Sequence, residues 1–389
     1  MIIAVDDKIP YWEQAFPPAG EVRLFSARKV GASDLRDADA LIVRSVTRVD
    51  ASLLEGTRIR FVGTATIGMD HLDEKYLQRR GIYFTNAAGS NANSVAEHVT
   101  AALLLTARGR GWNLARKSMA VIGVGHVGSR VVRKAACLGI ETVLCDPPLR
   151  ETTGDKKYLF LEDVLGADLL TLHVPLTKEG AYPTWHMFDE GLLDRLTARQ
   201  FLLNTSRGAV IDNRALKRAL RAHAIEGAVL DVWEGEPHID YELLRETDLG
   251  SSHIAGYSLD GKIQGTAMIL EELCRFFGIS FAWDTAGIYP PLARIAPAPG
   301  TSGLDAICSV VLQAFDIRVP DANLRALEPL APEVSASAFD RLRNDYPLRP
   351  EFCHFVVELN EGNAELAAPL AELGFRISGV VQSPASPTS

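Results

Sequence analysis

Residues 119–146 read MAVIGVGHVGSRVVRKAACLGIETVLCD: an apolar strand, a glycine-rich turn, an amphipathic helix, a second strand and a terminal acid. That order builds a pocket for a dinucleotide. Gly123 suits the tight turn, Gly125 lets backbone approach a pyrophosphate, and Gly128 lets the helix sit against the sheet. The helix start, with His126 and Val127, offers unpaired N–H groups to phosphate charge. Asp146, at the end of the second strand, is placed for a ribose hydroxyl pair and would repel a 2'-phosphate, which favours NAD over NADP.

The rest of the chain is ordinary globular material. Its 389 residues exceed one typical domain, 47% are hydrophobic and 23% charged, and no apolar run approaches a membrane span. A formal net charge of -9 disfavours nonspecific nucleic-acid binding. The five cysteines, Cys137, Cys145, Cys274, Cys308 and Cys353, show neither CxxC pairing nor ligand spacing, and the nine histidines join no metal pattern. No metal is expected. MIIAVDDKIPYW lacks a basic prefix with an apolar signal core, so a reducing cytoplasm is the expected setting.

Working outward, residues 1–5, 21–25, 39–43 and 59–63 read as short strands separated by loops and by helical stretches at 50–56 and 71–79. They form a smaller α/β unit ahead of the coenzyme unit. Residues 94–108 read as a bridging helix. LLTLHVPL, FLLNTSRGAVI and EGAVLDVW repeat the pattern of buried parallel strands whose loops gather at one sheet edge. KIQGTAMILEELCRFFGI reads as a helix leaving the coenzyme unit and returning to the first, which makes that unit discontinuous. After a connector rich in Pro, Ala and Gly, LDAICSVVLQAF and residues 363–373 predict helices, FCHFVVEL and FRISGVV predict strands, and SPASPTS is expected to fray. The boundaries are 1–93 and 257–284 for the split unit, 94–256 for the coenzyme unit, and 285–389 for an added C-terminal α+β domain.

Several residues at strand ends carry chemistry. Arg207, in NTSRGAVID, projects a planar fork that fits a carboxylate, or else ties down a loop by a salt bridge. His253 can move a hydroxyl proton, since imidazole titrates near 6.5, with Glu236 orienting it. A structural histidine and a solvated acid are the bland alternatives. Arg44 beside Ser45 suits a phosphate or carboxylate, or is a solvated strand terminus, and Arg48 is a further cation nearby. Tyr257 offers a phenolic hydrogen bond or aromatic packing. Asp231 can cap a helix, Val174 and Pro175 lie where adenosine would contact the loop after a strand, and Gly256 permits close backbone approach. His173 is read as loop packing.

GVGHVG, NTSRGAVID, DVWEGEP and SSHIAGYS, in that order, resemble the D-isomer-specific 2-hydroxyacid dehydrogenases, and the resemblance runs through essentially the whole chain. RSVTRV, GTATIGMDHLD and AAGSNANSVAEH point to the branch acting on phosphorylated acids. The resemblance implies a Rossmann-type NAD-binding domain inserted in a split flavodoxin-like substrate domain, closing on each other over the reactants. It makes Arg207, Glu236 and His253 catalytic, puts Asp231 near the nicotinamide, and assigns Ser45, Thr66, Tyr257 and Arg44 to substrate. It also implies 4-phospho-D-erythronate as substrate, within pyridoxal 5'-phosphate synthesis, and homodimerisation through the C-terminal domain, with no nucleic-acid or membrane partner. Two rivals are D-3-phosphoglycerate oxidation and an NAD-sensing regulator without turnover.

Overall fold

The computed structural model describes residues 1–379, so the SPASPTS end lies outside the described residues. The chain divides into two compact units, Met1–Asn91 with Ser258–Tyr289, and Ala92–Tyr257 with the residues from Pro290 onward.

In the first unit, five parallel strands, β1 (Ile2–Asp6), β2 (Glu21–Phe25), β3 (Ala40–Val43), β4 (Phe61–Thr64) and β5 (Tyr83–Asn86), are ordered β2-β1-β3-β4-β5. This is the flavodoxin-like doubly wound order. Every residue of β3 and β4 is buried, as expected of strands covered on both faces. One face packs on Leu35, Leu53, Leu54 and Leu77, the other on Ile269, Leu270 and Leu273 of the returning helix Leu259–Phe277. That helix starts where the Ser258 side chain accepts from Gly261 N at 2.9 Å and stops at Gly278, whose φ is 67°. A Cβ on Gly63 would lie 2.5 Å from Ile269, so glycine lets the helix approach β4.

The second unit holds seven parallel strands: β6 (Ser118–Ile122), β7 (Glu141–Cys145), β8 (Tyr158–Leu159), β9 (Leu169–Leu172), β10 (Phe201–Asn204), β11 (Gly227–Leu230) and β12 (Leu249–Gly250). Their order, β12-β11-β10-β9-β6-β7-β8, reverses direction at β6, the topological switch point of a Rossmann sheet. Glycine turn, strand ends and loops therefore converge on the carboxyl edge between β6 and β9.

The residues from Pro290 onward group in one compact unit with the seven-stranded sheet. A third small parallel sheet, β13 (Ala293–Ile295), β14 (Phe355–Val357) and β15 (Arg376–Ile377), is present. Yet Val310, Val311, Phe352 and Leu370 share one apolar cluster with Val99 and Leu103 of helix Ala92–Arg110 and Val131 of helix His126–Cys137. The C-terminal segment packs on these two helices. The cover includes charge: Glu97, fully buried, accepts from Arg349 at 2.8 Å and from Phe352 N at 2.9 Å. Burial pushes the Glu97 carboxyl up to about 7 while Arg349 pulls it back. Removing one partner of such a pair costs roughly 3–5 kcal/mol.

Candidate active site

Glycine geometry at the turn leaves little freedom. Gly123 has φ 87°, and a Cβ there would sit 2.6 Å from His173 O. A Cβ on Gly128 would sit 2.0 Å from Gly123 O, so only glycine brings the helix this close. Gly125 faces open space and begins helix His126–Cys137 without a side-chain cap, leaving first-turn N–H groups for an anion. Asp146 is partly engaged: Oδ2 accepts from Val124 N at 2.8 Å and Oδ1 from Leu149 N at 2.9 Å. A carboxylate has about four lone-pair sites, so acceptors remain for two ribose hydroxyls. The open helix start, the glycine contacts and the acid fit a dinucleotide.

Beyond β9, His173 hydrogen-bonds Thr171 through Nε2 at 2.9 Å, and desolvation pushes its imidazole down to about 3. It stays neutral and braces the loop carrying Val174 and Pro175. Beyond β10, buried Asn204 accepts from Ser206 N at 3.0 Å and donates to Arg207 O at 2.9 Å, fixing the turn that presents Arg207. A Cβ on Gly208 would fall 2.0 Å from the Trp233 carbonyl carbon, so the Arg207 turn packs directly on the loop that carries Glu236.

That loop and the one after β12 form a dyad. Glu236 Oε1 accepts from Trp233 N at 2.8 Å, and Oε2 lies 2.8 Å from His253 Nδ1. With Nδ1–H donating to the Glu236 carboxylate, the Nε2 lone pair is free to accept a proton. His253 sits at φ 59°, an uncommon conformation for a residue with a side chain, held by a 2.7 Å bond from its N–H to Asp231 O. The Asp231 carboxylate, 1% exposed, accepts from Ser251 Oγ, Ile254 N and Ala255 N at 2.6, 2.8 and 3.0 Å. All three bonds pin the 251–255 loop, so Asp231 acts here as its anchor, and neither a helix cap nor an exposed ligand is seen. Gly256 follows that loop. The Tyr257 ring lies edge-on to Tyr346, centroids 6.5 Å apart.

In the first unit, Thr66 Oγ1 is 2.8 Å from Thr64 Oγ1, which in turn lies 3.0 Å from His71 Nε2. This chain orients the Thr66 hydroxyl at the end of β4. Arg44 donates to buried Asp6 at 3.2 Å, Ser45 is exposed, and Arg48 is occupied by Asp50 at 3.0 Å. Sequence reading missed Asn204, Gly208, Thr64 and His71. Asn204 lay inside the quoted NTSRG, and its place before a turn was the signal. A second pair, His186 Nε2 to Glu234 Oε1 at 2.7 Å, carried no spacing signal.

Residues 88–255 match the family model for the NAD binding domain of D-isomer specific 2-hydroxyacid dehydrogenases. Among solved structures, D-lactate dehydrogenase from Aquifex aeolicus, complexed with NAD and lactic acid, superposes with a TM-score of 0.59 at 24% identity, covering 71% of this chain and 95% of its own. Erythronate-4-phosphate dehydrogenase of Salinibacter ruber is 45% identical over 90% of this chain and 92% of its own. That of Hahella chejuensis is 40% identical over 97% of this chain and 100% of its own. The chain belongs to the D-isomer-specific 2-hydroxyacid dehydrogenase family, in the group whose curated members are the erythronate-4-phosphate dehydrogenases.

Proposed function

We propose that this chain oxidises the C2 alcohol of 4-phospho-D-erythronate to 2-oxo-3-hydroxy-4-phosphobutanoate with NAD, a step toward pyridoxal 5'-phosphate. The observation that carries the reading is the Glu236–His253 contact of 2.8 Å on the loop edge of the NAD-binding sheet, in a chain whose relatives over nearly full length bear that enzyme's name. Bound NAD supplies the acceptor for the C2 hydride. Gly123, Gly125 and Gly128 with His126 and Val127 would hold its pyrophosphate, Asp146 the ribose and Val174 and Pro175 the adenosine, while Gly256 would meet the nicotinamide end on the loop that Asp231 anchors. His253 accepts the C2 hydroxyl proton at Nε2, and Glu236 stabilises the imidazolium that forms. Arg207 holds the adjacent carboxylate and polarises the reacting carbon. Ser45, Thr66, Arg44 and Tyr257 contact substrate. The enzyme is cytoplasmic and homodimeric, and among the described residues no helix is long and apolar enough to cross a membrane.

The test is a comparison of 4-phospho-D-erythronate with 3-phospho-D-glycerate, following the 2-oxo products as well as NADH. Turnover confined to 3-phosphoglycerate overturns the substrate, and NAD binding without oxidation of either acid overturns the enzyme reading.

A further inference from the structure

The substrate proposed above is anionic at both ends. Arg207 accounts for the carboxylate, and the phosphate at C4 needs a cation of its own. Arg44 is committed to Asp6, Arg48 to Asp50 and Arg349 to Glu97. Arg343 differs. It sits in the last turn of helix Pro332–Asn344, half-buried, with its guanidinium carbon 5.9 Å from the centroid of the Tyr257 ring. Its Nε is buried without a hydrogen-bond partner among the described residues. A desolvated guanidinium N–H left unpaired is costly, and a neighbouring aromatic face returns only part of that cost.

The Tyr257 ring lies beside this cation. Tyr346, one turn on from Arg343, packs edge-on against the same Tyr257 ring, so Tyr257 is held between a guanidinium and a second phenol. Tyr257 lies four residues after His253, and its N–H bonds back to Ile254 O at 2.8 Å, closing a turn that keeps it beside the catalytic loop. Tyr346 is itself held by burial, which pushes its phenol upward, an effect that Asp231 adds to and Arg349 opposes. The C-terminal segment thus brings a cation and one phenol against the Tyr257 ring.

We infer that Arg343 is a specificity-determining residue that recognises the C4 phosphate of the substrate, with the Tyr257 ring as the platform that orients its guanidinium. A planar fork engages phosphate through two parallel N–H bonds, which the two terminal nitrogens of the guanidinium can supply. A substrate lacking phosphate forgoes both bonds, and discrimination comes from that loss. The inference rests on the proposed oxidation of 4-phospho-D-erythronate.

Arg343→Gln and Arg343→Lys in the full-length enzyme test it, with kcat and KM measured for 4-phospho-D-erythronate and for D-erythronate. The ratio of kcat/KM between the two acids is expected to fall about 100-fold in Arg343→Gln, mostly through KM of the phosphorylated acid. Arg343→Lys, which keeps stem and charge, is expected to lose several-fold in that ratio and remains informative if the glutamine variant does not fold. A merely structural role would depress both acids alike; an unchanged ratio in the folded variants overturns the inference. Wild-type enzyme that does not oxidise 4-phospho-D-erythronate overturns the underlying reading instead, so the two failures are distinct.

Discussion

At the scale of single residues, the dyad makes a sharper prediction than removal of its base. His253→Ala is expected to lose roughly 100-fold or more in kcat with NAD affinity retained, because it deletes a positioned proton acceptor. Glu236→Gln keeps size and shape but reverses one bond. Its amide oxygen can still accept from Trp233 N, which turns the NH2 toward His253 Nδ1 and forces the other ring nitrogen to carry the proton. The imidazole is then a donor where oxidation needs an acceptor, and on the pattern of the serine-protease aspartate we expect kcat to fall about 1000-fold with KM little changed. Steady-state kinetics and an NAD fluorescence titration check both variants; a Glu236→Gln enzyme within a few-fold of wild type would remove Glu236 from the mechanism. Arg207, Glu236 and His253 were legible as residues because each sits in a short motif at a strand end. The Asn204 brace and the triple anchoring by Asp231 were not, since a hydrogen bond between loops leaves no periodic trace in the chain.

At the scale of elements, helix Ala92–Arg110 shows what a pattern can and cannot convey. Residues 94–108 read as a helix, and Glu97 and His98 within it are both buried. Both His98 ring nitrogens lack partners among the described residues, its ring contacts Phe315 at 5.6 Å, and burial pushes its pKa down to about 4. The folded pKa lies below the unfolded value of 6.5, so between these pH values the unfolded chain binds a proton that the folded one refuses. Stability is therefore lost as pH falls from about 6.5 toward 4. His98→Leu, nearly equal in volume, removes that proton and an unsatisfied polar group together. Urea midpoints at pH 7 and pH 5 should show the wild type dropping more than the variant; parallel losses would mean that other groups carry the acid limb. The glycine turn and the apolar strands β3, β6, β9 and β10 were readable from sequence, because burial on both faces demands continuous apolar runs. β5 was missed as a short, half-buried edge, YFTN. Helices Arg318–Arg325 and Pro332–Asn344 were missed because RVPDANLR holds a proline and the second mixes serine and alanine without a wide apolar stripe.

For the whole molecule, the C-terminal segment covers an apolar face of its own chain, and the proposed dimer gives it a second role that a sequence pattern cannot separate from the first. Its apolar helices need cover, which either the chain itself or a second subunit can supply. The structure assigns much of that face to the chain itself: Val310, Val311, Phe352 and Leu370 pack on the helices of the NAD-binding unit. Truncation would uncover that cluster at roughly 1.5–3 kcal/mol for each large side chain returned to water, and the product would report unfolding as well as association. What remains for a second copy is the outer surface, where Val319 and Val334 are 56% and 50% exposed and Leu330 lies between them in sequence. Carboxylates there leave the internal cluster untouched and oppose a like copy across a two-fold axis, where each subunit presents the same patch. We therefore expect full-length wild type to be dimeric by light scattering at micromolar concentration, and Val319→Asp with Val334→Asp to be a monomer with an unchanged thermal midpoint. A wild-type monomer would refute the dimer, whereas a dimer that survives both substitutions would move its contact to another face of the segment.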